Sequence, residues 1–169
     1  TSERLTAGEF NGTVSERLAL SDFAATIVMV LCNQNGGTFF HVGDGAGVSL
    51  KLHNMEHCVV SEPENGEYLN ETYFVTMNKW EEHLRVTSFC GEFDTILLMS
   101  DGVTPMAMKK GCEAPFQPFV QPVIEHLLRS TPDRGNAALR NTLKASEVRA
   151  ITEDDMTLFW ASSIKTEDT

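Results

Sequence analysis

The sequence predicts an α+β domain in which helices pack on antiparallel sheets. Short apolar segments separated by Asn- and Gly-rich turns fill the first hundred residues, two helical segments follow, and one more strand comes near the end of the chain. Strands that precede helices in this way are typical of α+β folds. The length of 169 residues fits one domain.

The predicted strands are short runs rich in β-branched and apolar residues, each bounded by turn-forming residues. Residues 23–32 and 95–100 are almost wholly apolar, so both are predicted to be buried. Residues 38–42 follow the turn cluster 33–37 and are predicted to pair with the first strand as a hairpin. The remaining predicted strands are 47–52, 57–60, 73–77, 84–90 and 156–161.

Two helices are predicted between the last two strands. The first has an apolar stripe that recurs at helical spacing. Its members are Phe116, Phe119, Val120, Val123, Ile124, Leu127 and Leu128. A break is predicted at 131–135, and a shorter helix follows with Leu139 and Leu143 on one face. Residues 1–22 are interpreted as a helical or loop lead-in, 23–162 as the domain, and 163–169 as a tail.

Composition and charge exclude several classes of function. The formal net charge of −11 would repel a phosphate backbone, so no nucleic acid partner is expected. The longest apolar stretch has ten residues, too few to cross a bilayer, so no membrane association is expected. The four cysteines form no CxxC pair, and Cys32 and Cys90 are predicted to be buried free thiols. A reducing compartment, the cytoplasm, is the expected location.

Three aspartates share one local setting, because each lies where an apolar strand ends or begins. Asp44 and Asp101 are each followed by a glycine, and Asp154 precedes the last predicted strand. Mg²⁺ and Mn²⁺ prefer oxygen ligands and usually keep several waters, so carboxylates from separate strands suit them. Two such ions can activate a water for displacement at phosphorus. An Asp-Gly pair after a strand is also typical of a plain turn, and that alternative stays open for each aspartate.

The sequence around these aspartates resembles the type 2C protein phosphatase family, most closely its smaller bacterial branch. Five segments carry the resemblance, and they occur in the family's order. They are Phe23-Ala-Ala-Thr-Ile-Val, the Phe39 to Val48 segment with its Gly-Asp turn, the Pro63 to Thr76 stretch, Ile96-Leu-Leu-Met-Ser-Asp-Gly-Val-Thr, and Asp154-Asp155-Met156-Thr157-Leu158.

The resemblance implies two antiparallel sheets sandwiched between helices, and a bacterial signalling enzyme that hydrolyses phosphoserine or phosphothreonine in proteins. It implies Mn²⁺ or Mg²⁺ as cofactor, as two or three ions. Asp101 and Asp154 would be ligands of the core ions, and Asp44 would serve a third, weaker ion. Gly102 permits the turn after Asp101, and Asp155 stands where the family often has Asn, as a neighbour of the site. Ser100 is expected to support the turn.

The chain also departs from the family. An Arg-bearing first strand, an acidic pair, and an Asp-Gly motif whose Asp bridges both ions are not found upstream of residue 23. We therefore expect a chain truncated at its N-terminus, and whether this fragment alone is active stays open. Two alternatives remain: a catalytically degenerate phosphatase fold that binds a partner protein, and an unrelated α+β interaction domain in which the Asp-Gly pairs are only turns.

Overall fold

The structure is a computed structural model that describes residues 19–64 and 72–163. It contains two antiparallel sheets and four helices, which confirms the predicted α+β fold. The predicted lead-in over 1–18, the tail over 164–169 and the middle of the Pro63 to Thr76 stretch lie outside the described residues.

Strands and helices are largely segregated along the chain, as predicted: six strands come first, then the four helices, then the last strand. The strands are β1 (Ile27–Asn33), β2 (Gly36–Val42), β3 (Ala46–Lys51), β4 (Asn54–Ser61), β5 (Arg85–Cys90), β6 (Thr95–Met99) and β7 (Leu158–Ser162). The helices are α1 (Thr104–Ala107), α2 (Gln117–Leu128), α3 (Pro132–Leu143) and α4 (Ser146–Arg149). The two short helices α1 and α4 had no sequence signal, because four residues are too few to show a helical period.

The strands form two sheets that pack face to face. Sheet A has the order β1-β2-β5, and sheet B has the order β4-β3-β6-β7. The sheets approach closely at Gly47, where an added Cβ would lie 2.8 Å from a ring carbon of Phe39 and 3.3 Å from a methyl of Val28. Glycine at this position of β3 therefore lets the aromatic ring of sheet A lie directly on the backbone of sheet B.

The main core lies between sheet B and the helices. Val48 and Leu97 are register partners on β3 and β6, and they belong to the same apolar cluster as Ile124 of α2 and Leu139 of α3. Val48, Leu97 and Ile124 are at most 1% exposed. Each such side chain contributes about 1.5–3 kcal/mol through burial, so this layer fixes sheet B as a rigid base for the strand ends.

The prediction of a buried strand over 23–32 is wrong in part. Phe23 lies in a 3-10 turn and is exposed, and the strand begins at Ile27. Met29 and Leu31 point away from sheet B and are exposed, because the described residues place their helices on sheet B alone and leave the outer face of sheet A uncovered. Only the Val28 side of β1 is packed between the sheets.

The prediction that Cys32 and Cys90 are buried is also wrong. Both are free thiols, and both are exposed. Their register partners on β2 are Gly37 and Gly36, which have no side chain to cover a neighbour.

Two further predictions of secondary structure need correction. Residues 73–77 form turns instead of a strand, since Tyr73 stacks on His83 and does not join a sheet. The break predicted over 131–135 is shorter, because Pro132 occupies the first turn of α3, where its missing N–H costs nothing. Among the helices of the described residues, none is long and apolar enough to span a bilayer.

Candidate metal centre

The pairing of sheet B brings three strand ends to one edge. Ala46, the first residue of β3, is the register partner of Met99, the last residue of β6. Met99 is in turn the partner of Leu158, the first residue of β7. Because antiparallel neighbours alternate in direction, the segments that carry Asp44, Asp101 and Asp154 all leave the sheet at this edge.

Asp101 is the aspartate whose environment is most perturbed. Its Oδ1 accepts a hydrogen bond of 2.8 Å from the backbone N–H of Gly102. Desolvation raises the pKa of the Asp101 carboxyl above its ordinary value, the Gly102 N–H opposes that shift, and the nearby charges of Asp44 and Asp154 raise the pKa further. Asp44 and Asp154 are therefore near enough for their charges to act on the Asp101 carboxyl.

The loop before β7 holds Asp154 through two local contacts. The hydroxyl of Thr152 donates to Oδ2 of Asp154 at 3.1 Å, and the backbone N–H of Asp154 lies 3.1 Å from the same hydroxyl. Thr152 is buried, so this pair is a fixed part of the loop. Arg149, at the end of α4, donates to the carbonyl of Asp154 at 3.0 Å. Together these bonds set the direction in which the Asp154 carboxylate points.

The turn that carries Asp44 depends on glycine. Gly43 has φ of +116°, and an added Cβ would lie 2.4 Å from the side chain of Thr26. Only glycine satisfies both requirements. The hydroxyl of Thr72 donates to Oδ2 of Asp44, so one carboxylate oxygen of Asp44 is already oriented by the protein.

Gly102, Ser100 and Asp155 join the Asp101 turn to the Asp154 loop. A Cβ on Gly102 would lie 2.5 Å from the carbonyl oxygen of Asp155 and 3.2 Å from Cβ of Asp154. The Ser100 hydroxyl donates to the Asp155 carbonyl at 3.1 Å, which confirms the expectation that Ser100 supports the turn. Asp155 contributes its backbone here, and its side chain is exposed.

The donor atoms at this edge suit a hard divalent cation. They are carboxylate oxygens, and the charges of Asp44 and Asp154, which add to the rise in the pKa of Asp101 that desolvation causes, would be offset by a cation between the carboxylates. Within residues 19–64 and 72–163, no three Asp, Glu, His or Cys side chains are grouped closely enough to hold an ion. The described aspartates thus supply part of a ligand set, and waters or other groups would supply the rest.

Comparison with known proteins identifies the family. The sequence profile of the family Protein phosphatase 2C matches residues 7–144, most of the chain. The chain belongs to the protein phosphatase 2C family. Proteins of this family are metal-dependent, and they act on phosphoproteins. The alternative of an unrelated interaction domain is thereby excluded.

Individual relatives agree with this assignment. Serine/threonine-protein phosphatase 3 of Escherichia coli (strain K12) is 27% identical over 153 residues, which cover 87% of this chain and 60% of that protein. A crystal structure of a bacterial serine phosphatase matches 85% of this chain and 59% of its own, with a TM-score of 0.53 and 14% identity. A second crystal structure, of a bacterial serine phosphatase in which one arginine is replaced by lysine, matches the same shares, with a TM-score of 0.51 and 15% identity. The chain thus spans about three-fifths of the length of these proteins.

Sequence reasoning missed the residues that orient the aspartates. Thr152 could have been found, because a Thr two residues before an Asp can bond to its side chain and backbone. Thr72, Glu64 and Arg85 gave no such signal. They are 20 or more residues from the Gly43–Asp44 turn in sequence and meet it only through the fold.

Proposed function

We propose that the protein hydrolyses phosphoserine and phosphothreonine in proteins by means of a metal-activated water. The observation that carries the proposal is that the segments of Asp44, Asp101 and Asp154 leave sheet B at the same end, with Asp44 and Asp154 near enough for their charges to raise the pKa of Asp101. Membership of the protein phosphatase 2C family supports the reaction class.

The residue roles are those that the family resemblance implies for the three aspartates. Asp101 and Asp154 would hold two core ions, Mn²⁺ or Mg²⁺, and Asp44 would hold a third, weaker ion. Divalent ions held there would supply a Lewis acid that lowers the pKa of a bound water and stabilises charge on the phosphoryl oxygens. Gly102 would let the Asp101 turn lie against the Asp154 backbone, and Asp155 would brace that turn through its carbonyl.

The chain's own residues would contribute preorganisation. Thr72 and Thr152 each donate to one oxygen of a carboxylate, which leaves the other oxygen of Asp44 and of Asp154 free to bind. In the reaction, the oxygen of water bonds to phosphorus as the P–O ester bond breaks, the Ser or Thr oxygen of the substrate takes up a proton, and inorganic phosphate leaves. Because these carboxylates are fixed before substrate binds, little reorganisation is needed in the transition state.

Four free cysteines support a cytoplasmic location for the enzyme.

The test measures Mn²⁺ binding and turnover of a phosphopeptide on the full protein. Chelation by EDTA should abolish turnover, and Mn²⁺ should restore it. Asp101→Asn and Asp154→Asn should each reduce turnover by orders of magnitude. Asp44→Asn should weaken the binding of one ion and reduce turnover less. Asp133→Asn is the control, because Asp133 is an exposed acid in the first turn of α3 that loses the same charge.

Two results would contradict the proposal. Full turnover in EDTA would remove the metal role. Specific Mn²⁺ uptake without turnover of any phosphopeptide would favour a degenerate phosphatase fold that binds a partner protein.

A further inference from the structure

The guanidinium of Arg85 bridges two acceptors beside the Gly43–Asp44 turn. Its Nη2 donates to the carbonyl oxygen of Gly43 at 2.8 Å, and its Nη1 donates to Oε2 of Glu64 at 2.7 Å. The Arg85 side chain is only 24% exposed. A charge-assisted bond in such a partly buried position is stronger than one at the surface.

Glu64 contacts the same turn in a second way. Its backbone N–H donates to the carbonyl oxygen of Gly43 at 3.1 Å. The Gly43 carbonyl therefore accepts from both Glu64 and Arg85, while those two residues also form an ion pair with each other. Three bonds among three residues close a small network on one peptide group.

That peptide group is the one that leads into Asp44. Because a peptide is planar, the orientation of the Gly43 carbonyl also sets the orientation of the Asp44 N–Cα bond. Gly43, with φ of +116°, offers little steric resistance of its own to rotation of this peptide. The bonds from Arg85 and Glu64 supply the constraint that glycine lacks.

We infer that Arg85, paired with Glu64, is a positioning residue that sets the affinity of the ion held by Asp44. The inference rests on the proposed function, in which Asp44 is a metal ligand. Arg85 has no acceptor atom and cannot be a ligand itself. It acts through the Gly43 carbonyl, as groups that orient metal ligands commonly do.

The sign of the effect separates positioning from simple electrostatics. A cation near a metal site repels the metal, so loss of the Arg85 charge by electrostatics alone would tighten Mn²⁺ binding. Loss of positioning would weaken it. Lysine keeps the charge but lacks the planar fork that serves two acceptors at once, so Arg85→Lys should also weaken binding if positioning is the cause.

The experiment measures Mn²⁺ binding by calorimetry on the full protein. The component that disappears in Asp44→Asn identifies the ion held by Asp44. Arg85→Met and Arg85→Lys should each weaken this component, by about tenfold for Met, and leave the tighter components unchanged. Lys51→Met is the matched control, because Lys51 forms a 2.8 Å ion pair with Glu92 at the other end of β3.

The outcomes distinguish this inference from the function on which it rests. If Asp44→Asn removes a component but both Arg85 variants keep or tighten it, the inference is wrong and the proposed function stands. If Asp44→Asn removes no component, the role of Asp44 is wrong and the inference falls with it. If Arg85→Met does not fold, Arg85→Lys decides alone, since it retains the ion pair with Glu64.

Discussion

Ser100 and Thr157 are hydrogen-bonded to each other in both directions. The backbone N–H of Ser100 donates to the carbonyl of Thr157 at 3.0 Å, and the backbone N–H of Thr157 donates to Oγ of Ser100 at 3.0 Å. These bonds extend the β6–β7 pairing past its last register pair, Met99 and Leu158. The Asp101 turn and the Asp154 loop are thus tied together at the point where both leave the sheet.

Ser100→Ala should therefore loosen the link between the two aspartates. The variant loses the hydroxyl that accepts from Thr157 and donates to Asp155. A lost pair of such bonds costs about 1–3 kcal/mol of unfolding free energy, measured by urea denaturation, and Mn²⁺ binding should weaken as well.

The control for this variant is Ser88→Ala on β5. The Ser88 hydroxyl also forms a side-chain hydrogen bond, to Thr38 at 3.0 Å, but both partners are on the outer face of sheet A, away from the site. Its Mn²⁺ binding should match that of the unaltered protein. Equal Mn²⁺ affinity in Ser100→Ala would contradict the bracing role of Ser100.

Gly102→Ala should damage metal binding more than folding. The added methyl would lie 2.5 Å from the Asp155 carbonyl oxygen, which is backbone and cannot move without displacing Asp154. The expected result is Mn²⁺ affinity reduced by at least about tenfold, measured by calorimetry, with near-native circular dichroism.

Gly135→Ala in α3 is the comparison for Gly102→Ala. There the new methyl meets the end of the Leu127 side chain at 3.1 Å, which can shift, and Cβ of Ser130 at 3.6 Å, an ordinary contact distance, and alanine favours a helix. This variant should bind Mn²⁺ normally. If Gly102→Ala did the same, the close packing of Gly102 on the Asp154 loop would have no role in metal binding.

Asp101 should make the metal-free protein less stable as the pH rises. Its folded pKa is raised, chiefly by desolvation. The folded state therefore holds this proton more tightly than the unfolded state. Its contribution to stability is full below the ordinary Asp pKa of about 3.9 and is lost as the pH rises through the folded pKa. Metal-free Asp101→Asn should thus be more stable than the unaltered protein at neutral pH.

Denaturation of the metal-free proteins across the pH range measures this difference. The difference in unfolding free energy between Asp101→Asn and the unaltered protein should narrow as the pH falls toward about 4. When Mn²⁺ is added, the unaltered protein should become the more stable of the two. A constant gap at all pH values would show that Asp101 ionises without a penalty.

Much of the fold followed from sequence because its signals are local. The β6 run, which ends two residues before Asp101, and the apolar stripe of α2 are both predicted to within a residue or two of their bounds. That the segments of Asp44, Asp101 and Asp154 lie at one end of sheet B was expected from the family resemblance. The residues alone could not have given it, because register between β3, β6 and β7 is a long-range property.

The predictions of burial that were wrong depend on which elements cover each face of a sheet. Leu31 is as apolar as a buried strand residue, and only the layer order reveals that its side of sheet A is uncovered by the described chain. Cys32 points to the opposite face from Leu31 and is exposed beside Gly37, its partner on β2. Arg85 lies in a strand whose pattern predicts only pairing. Its contact with Gly43 spans 42 positions and could not be predicted from either segment.

Buried His41 should give the fold a second, opposite dependence on pH. His41 is fully buried between the sheets, where Nδ1 lies 3.2 Å from the hydroxyl of Ser61. Burial, with help from the charge of Arg85, lowers the pKa of His41 from 6.5 to about 4. The unfolded chain therefore binds a proton that the folded chain rejects between these two values.

The free energy of unfolding should consequently be unaffected by His41 above pH 6.5 and should fall as the pH drops toward 4. The loss amounts to about 3 kcal/mol, because one pKa unit corresponds to about 1.4 kcal/mol. Urea denaturation from about pH 7.5 to 4 measures it, with His57→Asn as the control, because His57 is an exposed histidine on β4. In His41→Asn this part of the pH dependence should disappear, whatever the variant costs in absolute stability. An equally steep fall in that variant would assign the effect to other groups.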